Sequence, residues 1–275
     1  MIDMHIHSTE SDGILNIEDI INISKKYHLD NFAISDHDVL VSKLKFNNSK
    51  IIKSVEFGIS YKNKEIHILG YFVDNSNTNL NNLVDLARID RQKRIDVFKE
   101  KFFKLGILID KKAVLNYSKE KIFSRSNLAQ YLVDIKICKT KNEAFKKYLS
   151  ENGKCYVPKN FTTIKGIIDS IKSASGVAIL AHPVTINDDI IINEIIDMGI
   201  DGIEVINSKH NFADIIKYLN LAINKKLLYT AGSDCHGKKY NNQYLLGHFS
   251  INRKIFESIS TLHEIRSNYV IKQNK

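Results

Sequence analysis

Two histidines at alternate positions lie near the start of the chain, His5 and His7 in MIDMHIH. On a strand, the period of two points both imidazoles to one side, where they can share a metal ion. An HxH pair is weak alone, but more ligand-type groups follow it. Asp12 lies in HSTESDG, His37 in ISDHD, Glu56 at the close of the apolar run SVEFG, and His67 within EIHILGY. In the second half His182 follows VAILA, and Asp234 and His236 form a D-x-H in LLYTAGSDCHG. Taken singly, His37 and His67 read as hydrogen-bonded core histidines. Taken together, five strand ends bearing such groups predict one cluster, because a metal ion satisfies several buried polar groups at once. Nine nitrogen and oxygen donors without a cysteine suit two or three divalent ions such as Mn²⁺, Zn²⁺ or Fe²⁺ and disfavour a structural zinc site. Cys235, between two of the donors, is expected to face the other way.

The elements that must position these groups follow from periodicity. Residues 1 to 74 alternate short strands with a helical IEDIINISKKY, and two strand-like runs, IIKSVEFGIS and KEIHILGYFV, flank a YKNK turn. An Asn-rich stretch, DNSNTNLNN, then precedes an apolar series at helical spacing, Leu80, Val84, Ala87, Ile95, Phe98 and Phe102, which predicts a helix over 80–105. Further helices are predicted at 125–135 and 141–151. After Gly153 the rhythm returns, with helices over 163–173, 188–198 and 211–224 and strands in GVAILAHP, DGIEVIN and LLYTAGSDCHG. The expectation is an α/β barrel, residues 1–74 and 155–275, active at its strand C-termini and interrupted by a helical insertion over 75–154.

Composition narrows the class without naming a chemistry. The chain has 275 residues, 43% hydrophobic and 26% charged, enough for a full core. No apolar run approaches the roughly 20 residues of a membrane span, and the start lacks a signal peptide's apolar core. Cys138, Cys155 and Cys235 form no CxxC pair. A cytoplasmic protein without a membrane or evident protein partner is expected. The net charge of +9 is local: residues 75–154 hold 18 Lys and Arg against nine Asp and Glu, a surplus of nine, while the remainder is balanced. A basic segment of this kind suits a phosphate-bearing ligand.

In order, H-x-H-S-x-x-S-D-G, S-D-H-D, a Glu and a His on following strands, A-H-P and G-S-D-C-H-G resemble the PHP (polymerase and histidinol phosphatase) family of metal-dependent phosphoesterases. Within the insertion, Arg91 and Arg94 ahead of KLG, then SRSNLAQYL and AFKKYLSENGKCYVP, resemble the branch holding nucleoside 3′,5′-bisphosphate phosphatases and a 5′→3′ exoribonuclease. The resemblance implies a distorted (β/α)7 barrel with three metal ions, Mn²⁺ foremost. It implies one ion on His5, His7, Glu56 and Asp234, a second on Glu56, His67 and His182, and a third on Asp12, His37 and His236. Asp36 and Asp38 are expected to orient imidazoles. Arg91, Arg94 and Arg125 are expected to grip a phosphate, with Asn127 and His210 as further substrate contacts. Asn127 departs from the branch, which carries a His there; an amide can hydrogen-bond but cannot serve as an acid. The implied reaction is hydrolysis of nucleotide phosphate esters, on nucleoside bisphosphates and the 5′ ends of short RNA, by a hydroxide held between two ions. Rival readings are a histidinol phosphatase, which shares the ligand set, and a non-catalytic RNA-binding or metal-storing protein. An amidohydrolase-type barrel is disfavoured because no metal-bridging lysine can be placed at a strand end.

Overall fold

A computed structural model describes residues 1–40, 50–117 and 123–273, so 41–49 and, within the basic insertion, 118–122 lie outside the described residues. The barrel starts with β1 (Ile2–Ile6), α1 (Ile17–Lys26), β2 (Asn31–Ile34), β3 (Ile51–Tyr61) and β4 (Lys64–Tyr71). The stretch that follows holds α2 (Thr78–Phe103), α3 (Lys111–Leu115), α4 (Arg125–Asp134) and α5 (Lys141–Ala144), which runs into a π-helical turn at Phe145–Leu149. The remainder is α6 (Ile164–Ser173), β5 (Val177–Leu180), α7 (Asp189–Asp197), β6 (Gly202–Asn207), α8 (Phe212–Lys225), β7 (Leu228–Gly232), a small hairpin β8 (Lys239–Tyr240) and β9 (Gln243–Tyr244), and α9 (Arg253–Gln273).

Seven strands pair in chain order, β1 through β7. All ladders are parallel except those of β4, which runs antiparallel to β3 and β5. The reversal comes from a two-residue turn, Lys62 and Asn63, both at positive φ, which matches the twist of a hairpin. It also decides where a ligand on β4 must sit. The mouth lies at the C-terminal ends of the other strands, so a residue near the start of β4, His67 opposite Gly58, is the one that reaches it. Glu56 and His67 therefore stand within this hairpin: Glu56 lies mid-strand instead of closing its apolar run, and His67 lies within its strand as expected. Asp234 and His236 also lie beyond β7, with Asp234 at φ +52°, instead of alternating along a strand.

The ring nearly closes between the first and last strands. Asp234 N–H donates to His5 O at 2.8 Å and His7 N–H to Cys235 O at 3.0 Å. Close approach there needs Gly232, since a Cβ would lie 2.7 Å from His5 N and 2.9 Å from Glu204 Oε1. The expected helices form within one to two residues of their predicted ends, each begun by a polar cap such as Asn77, Ser124 or Thr163. Beyond Gly237, where the pattern assigned no element, α9 packs Ile255, Phe256, Ile259 and Leu262 under the barrel. Arg266 fixes it with two 2.7 Å bonds to Asp201.

The helix α2 spans two cores. Leu80, Leu83 and Val84 join the apolar layer between sheet and helices, whereas Ile95, Phe98 and Phe102 join a separate core with Phe123, Leu128, Leu132 and Leu149. Arg91 and Arg94, only 7% and 5% exposed, lie between them. The second core holds α2 to α5 together and sets them against the barrel mouth.

Candidate active site

The nine residues converge. His5 and His7 leave β1 with their Nε2 atoms 3.1 Å apart. Asp234 Oδ1 is 3.6 Å from His5 Nε2 and 3.2 Å from His7 Nε2. Glu56, 1% exposed, lies at the centre of the mouth. Its Oε1 is 2.9 Å from His67 Nδ1 and 3.2 Å from His182 Nε2, and its Oε2 is 3.0 Å from His37 Nδ1 and 3.3 Å from His7 Nε2. At the outer edge His236 Nε2 is 3.3 Å from Asp12 Oδ1. The ligand atoms fall into three overlapping groups that each span less than 4.8 Å: His5, His7 and Asp234; His7, Asp12, His37 and His236; and His37, Glu56 and His67.

This donor set brings three carboxylates, Asp12, Glu56 and Asp234, into contact with imidazoles. Burial would raise Asp12, Glu56 and Asp234, yet the facing imidazoles, and Lys209 at Asp234, hold all three well below the usual carboxylate range. Against burial, Glu204, Glu56 and Asp234 lift His5 well above its ordinary value, and Asp234 and Glu56 lift His7 to about 10. Burial prevails at His37, which is lowered well below its usual range, and at His182, lowered to about 4. His7 Nδ1, His37 Nδ1 and Glu56 Oε2 are buried without hydrogen-bond geometry to any partner. Two imidazole nitrogens facing each other at 3.1 Å, beside an orphaned carboxylate oxygen of Glu56, are what divalent cations would satisfy. The His, Asp and Glu clusters can hold metal.

The groups that orient the ligands differ from expectation. Asp36 accepts from Ser8 N, Ser8 Oγ and Ser11 Oγ, so it folds the loop after β1 and touches no imidazole. Asp38, at φ +57°, pairs with Arg91. Glu204 does the orienting instead. Its Oε1 is 3.1 Å from His5 Nδ1, which turns Nε2 toward the cluster, and its Oε2 accepts from His182 N at 2.8 Å.

Beside the cluster lies a recess of about 80 Å³ whose wall includes Arg91, Arg94, Arg125, Lys159 and Ser124–Ser126, facing His37, His67 and Asp12. The first turn of α4 borders it, and free amides at a helix start favour an anion. Each arginine already has protein partners: Arg91 has Asp38 and Phe123 O, Arg94 has Val157 O, and Arg125 has Glu65 and Leu149 O. Lys159 Nζ is 2.6 Å from Glu65, whose Oε1 is also 3.1 Å from His67 Nε2. Arg91 is buried on the apolar stripe because it reaches through it to Asp38. Asn127 is buried in α4, and Ser126 takes the place beside the recess that the sequence gave to Asn127. His210 is buried, its Nδ1 2.8 Å from Val205 O and its ring 5.2 Å from Tyr218, which turns it toward α8. Its neighbour Lys209 enters the site and pairs with Asp234.

Four contributors were not singled out from the sequence: Glu65, Lys159, Lys209 and Glu204. Glu65 lies two residues before His67 on the same strand face, a period-two signal that could have found it. Glu204 is a carboxylate inside an apolar strand, which demands a partner. Lys159 and Lys209 lie in loops and carry no such signal.

A sequence model of the PHP domain matches residues 3–163. The 5′-3′ exoribonuclease Rnm of Salmonella typhimurium is 30% identical over 189 residues, 66% of this chain and 64% of that protein. The chain thus spans just under two thirds of the length of this relative. The 3′,5′-nucleoside bisphosphate phosphatase of Chromobacterium violaceum is 26% identical over 247 residues, covering 86% and 87% of the two chains. A solved structure from Bifidobacterium adolescentis, described as a metal-dependent phosphoesterase, superposes with a TM-score of 0.80 at 25% identity, covering 95% of this chain and 96% of the other.

Proposed function

The chain belongs to the PHP domain family, and on that premise we propose that it is a metal-dependent hydrolase of phosphate esters, acting on nucleoside 3′,5′-bisphosphates and on the 5′ ends of short RNA. The observation that carries this reading is the juxtaposition of the nine-residue cluster with the arginine-lined recess. One feature suits a scissile phosphate, the other a second phosphate next to it. The relatives named exoribonuclease and bisphosphate phosphatase support the same substrate class.

In this reading three divalent ions, Mn²⁺ foremost, occupy the cluster. His5, His7, Glu56 and Asp234 would hold one, Glu56, His67 and His182 the next, and Asp12, His37 and His236 the third. Bound there, the ions supply a water of lowered pKa and neutralise charge developing on the phosphoryl group. The protein's own part is alignment. Glu204 sets the His5 ring, Gly232 lets β1 and β7 meet, and Arg94, Arg125 and Lys159 hold the phosphate that is not cleaved. Arg91 lines the same recess and also ties α2 to Asp38. Residues 75–154 act as a cap inserted into a barrel of residues 1–74 and 155–275. Intracellular nucleotides and RNA as substrates, and three free cysteines, favour a cytoplasmic site of action.

A screen of Mn²⁺-loaded protein tests this, reading released phosphate from the phosphomonoesters and released nucleoside 5′-monophosphate from RNA. The expected order is a nucleoside 3′,5′-bisphosphate and 5′-phosphorylated short RNA above the matching monophosphate, with histidinol phosphate lowest. Histidinol phosphate as the best substrate, or no hydrolysis of any of them, would overturn it.

A further inference from the structure

The cluster has a second opening. A groove of about 660 Å³ runs between α5 and the β8–β9 hairpin and shares Asp12, Ser126 and Phe145 with the arginine recess. Asp234 and His236 form its floor. The cluster thus borders both a small basic recess and a larger groove.

We propose that this groove binds the 3′-continuing strand of an RNA whose 5′-terminal nucleotide is seated at the arginine recess. The proposal rests on the function above and adds where the strand leaving the site runs. Charge is the first argument. Lys141, Lys209 and Lys238 converge on the groove from three separate elements. Lys209 is paired with Asp234, but among the described residues Lys141 and Lys238 have no ion pair; Lys141 Nζ donates only to Ser126 Oγ at 3.0 Å. Burial and the nearby charge of Lys238 lower Lys141 despite the opposing pull of Asp12 and Asp134. A phosphodiester backbone would supply the direct ion pair that both lysines lack.

Aromatic surface is the second argument. Tyr240 is 58% exposed, yet it is held on a hairpin closed by Asn241 and Asn242, both at positive φ. Such a two-residue turn is rigid, so the ring is presented without a flexible loop behind it. Phe145 and Phe249 also line the groove. Rings interleaved with lysines are the means by which proteins hold single strands without reading sequence.

The other exit argues against itself as a path. A cavity of about 320 Å³ beside His67 and His182 is lined by Glu65 and Glu151, while its cations Arg125 and Lys209 are already paired. A polyanion leaving that way would meet Glu151, which has no ion pair among the described residues.

Two measurements test the groove. With Mn²⁺-loaded protein, the ratio of kcat/KM on a 5′-phosphorylated oligoadenylate to that on adenosine 3′,5′-bisphosphate should fall about fivefold or more in Tyr240→Ala, the scale of one lost base stack, and recover in Tyr240→Phe. In EDTA, where no cleavage occurs, fluorescence anisotropy with the same oligonucleotide, labelled at its 3′ end, reads binding alone. Lys141→Ala/Lys238→Ala should make the slope of log K against log salt shallower by about 1.4, as expected for two lost contacts to single-stranded phosphate. An unchanged ratio together with an unchanged slope would overturn the proposal, as would equal losses on both substrates. If wild type hydrolyses neither substrate, the assigned function fails, and the anisotropy measurement still decides the groove.

Discussion

The two charged regions at the mouth are built in opposite ways. The histidine and carboxylate cluster draws one residue or two from each of several strands and their following loops, and it leaves buried nitrogens and oxygens without partners. The arginine recess is largely satisfied within itself, because Glu65 and Asp38 already engage Arg125, Lys159 and Arg91. A site that needs an outside cation keeps its donors unpaired, whereas a site awaiting an anion can hold its cations in place with internal carboxylates until the ligand takes them over. The first arrangement depends on ions being present. The second is preorganised and costs the ligand an exchange of partners, which lowers affinity but excludes weakly charged competitors.

Breaking the cluster should have the largest effect. Glu56 touches His7, His37, His67 and His182, so Glu56→Gln should reduce turnover at least about a thousandfold, given several kcal/mol of metal-derived stabilisation. Elemental analysis should also show bound metal falling from about three ions per chain. Unchanged metal content and rate would remove Glu56 from the assigned set.

The recess should respond differently at its two ends. Arg91→Ala strands Asp38 as a buried carboxylate, so it should lower unfolding free energy by about 3 kcal/mol and depress activity on every substrate. Arg125→Ala should act on substrate choice, costing roughly 2 to 3 kcal/mol in kcat/KM on bisphosphates and far less on monophosphates. Equal losses on both substrates would show that Arg125 does not contact the second phosphate.

A smaller effect separates the two regions by pH. His7 is raised from 6.5 to about 10 when folded without metal, so its contribution to stability is fully present below pH 6.5 and is lost as pH rises toward 10. Chelator-treated protein should therefore melt at progressively lower temperature between pH 7 and 9. Metal-loaded protein should not follow it, since the ions require neutral imidazoles and bind more tightly as pH rises. Parallel melting curves with and without metal would show that the cluster holds no ions. The mildest expectation concerns Lys159, which shares Glu65 with Arg125. Lys159→Ala should shift KM for bisphosphates only severalfold, because Arg125 still holds Glu65 in place.

Ligand positions were legible because a buried strand is otherwise apolar. A His or Asp in MIDMHIH, VAILAHP or TAGSDCHG stands out, and nothing but a partner excuses it. The family resemblance then supplied the grouping that spacing alone left open. Helices α2 and α6 to α8 were legible for a related reason, since their apolar faces recur at 3.6 residues. The chain beyond Gly237 was not, although α9 fills the base of the barrel. Its apolar face is interrupted by Ser and His, and it is stable because Arg266 meets Asp201 and the barrel floor accepts its side chains.

What the sequence determined by itself was therefore the donor chemistry: which residues cannot be left unpaired in an apolar strand, and that their excess of carboxylate and imidazole calls for cations. The tertiary structure alone decided the partnerships. Asp36 and Asp38 look equivalent in ISDHD, yet one folds a loop and the other receives Arg91 from a helix 53 residues on. Glu65 became the counterion of the recess because the reversed strand β4 carries it to the mouth beside Arg125 and Lys159. Such pairings depend on distance in space, and local periodicity holds no information about that.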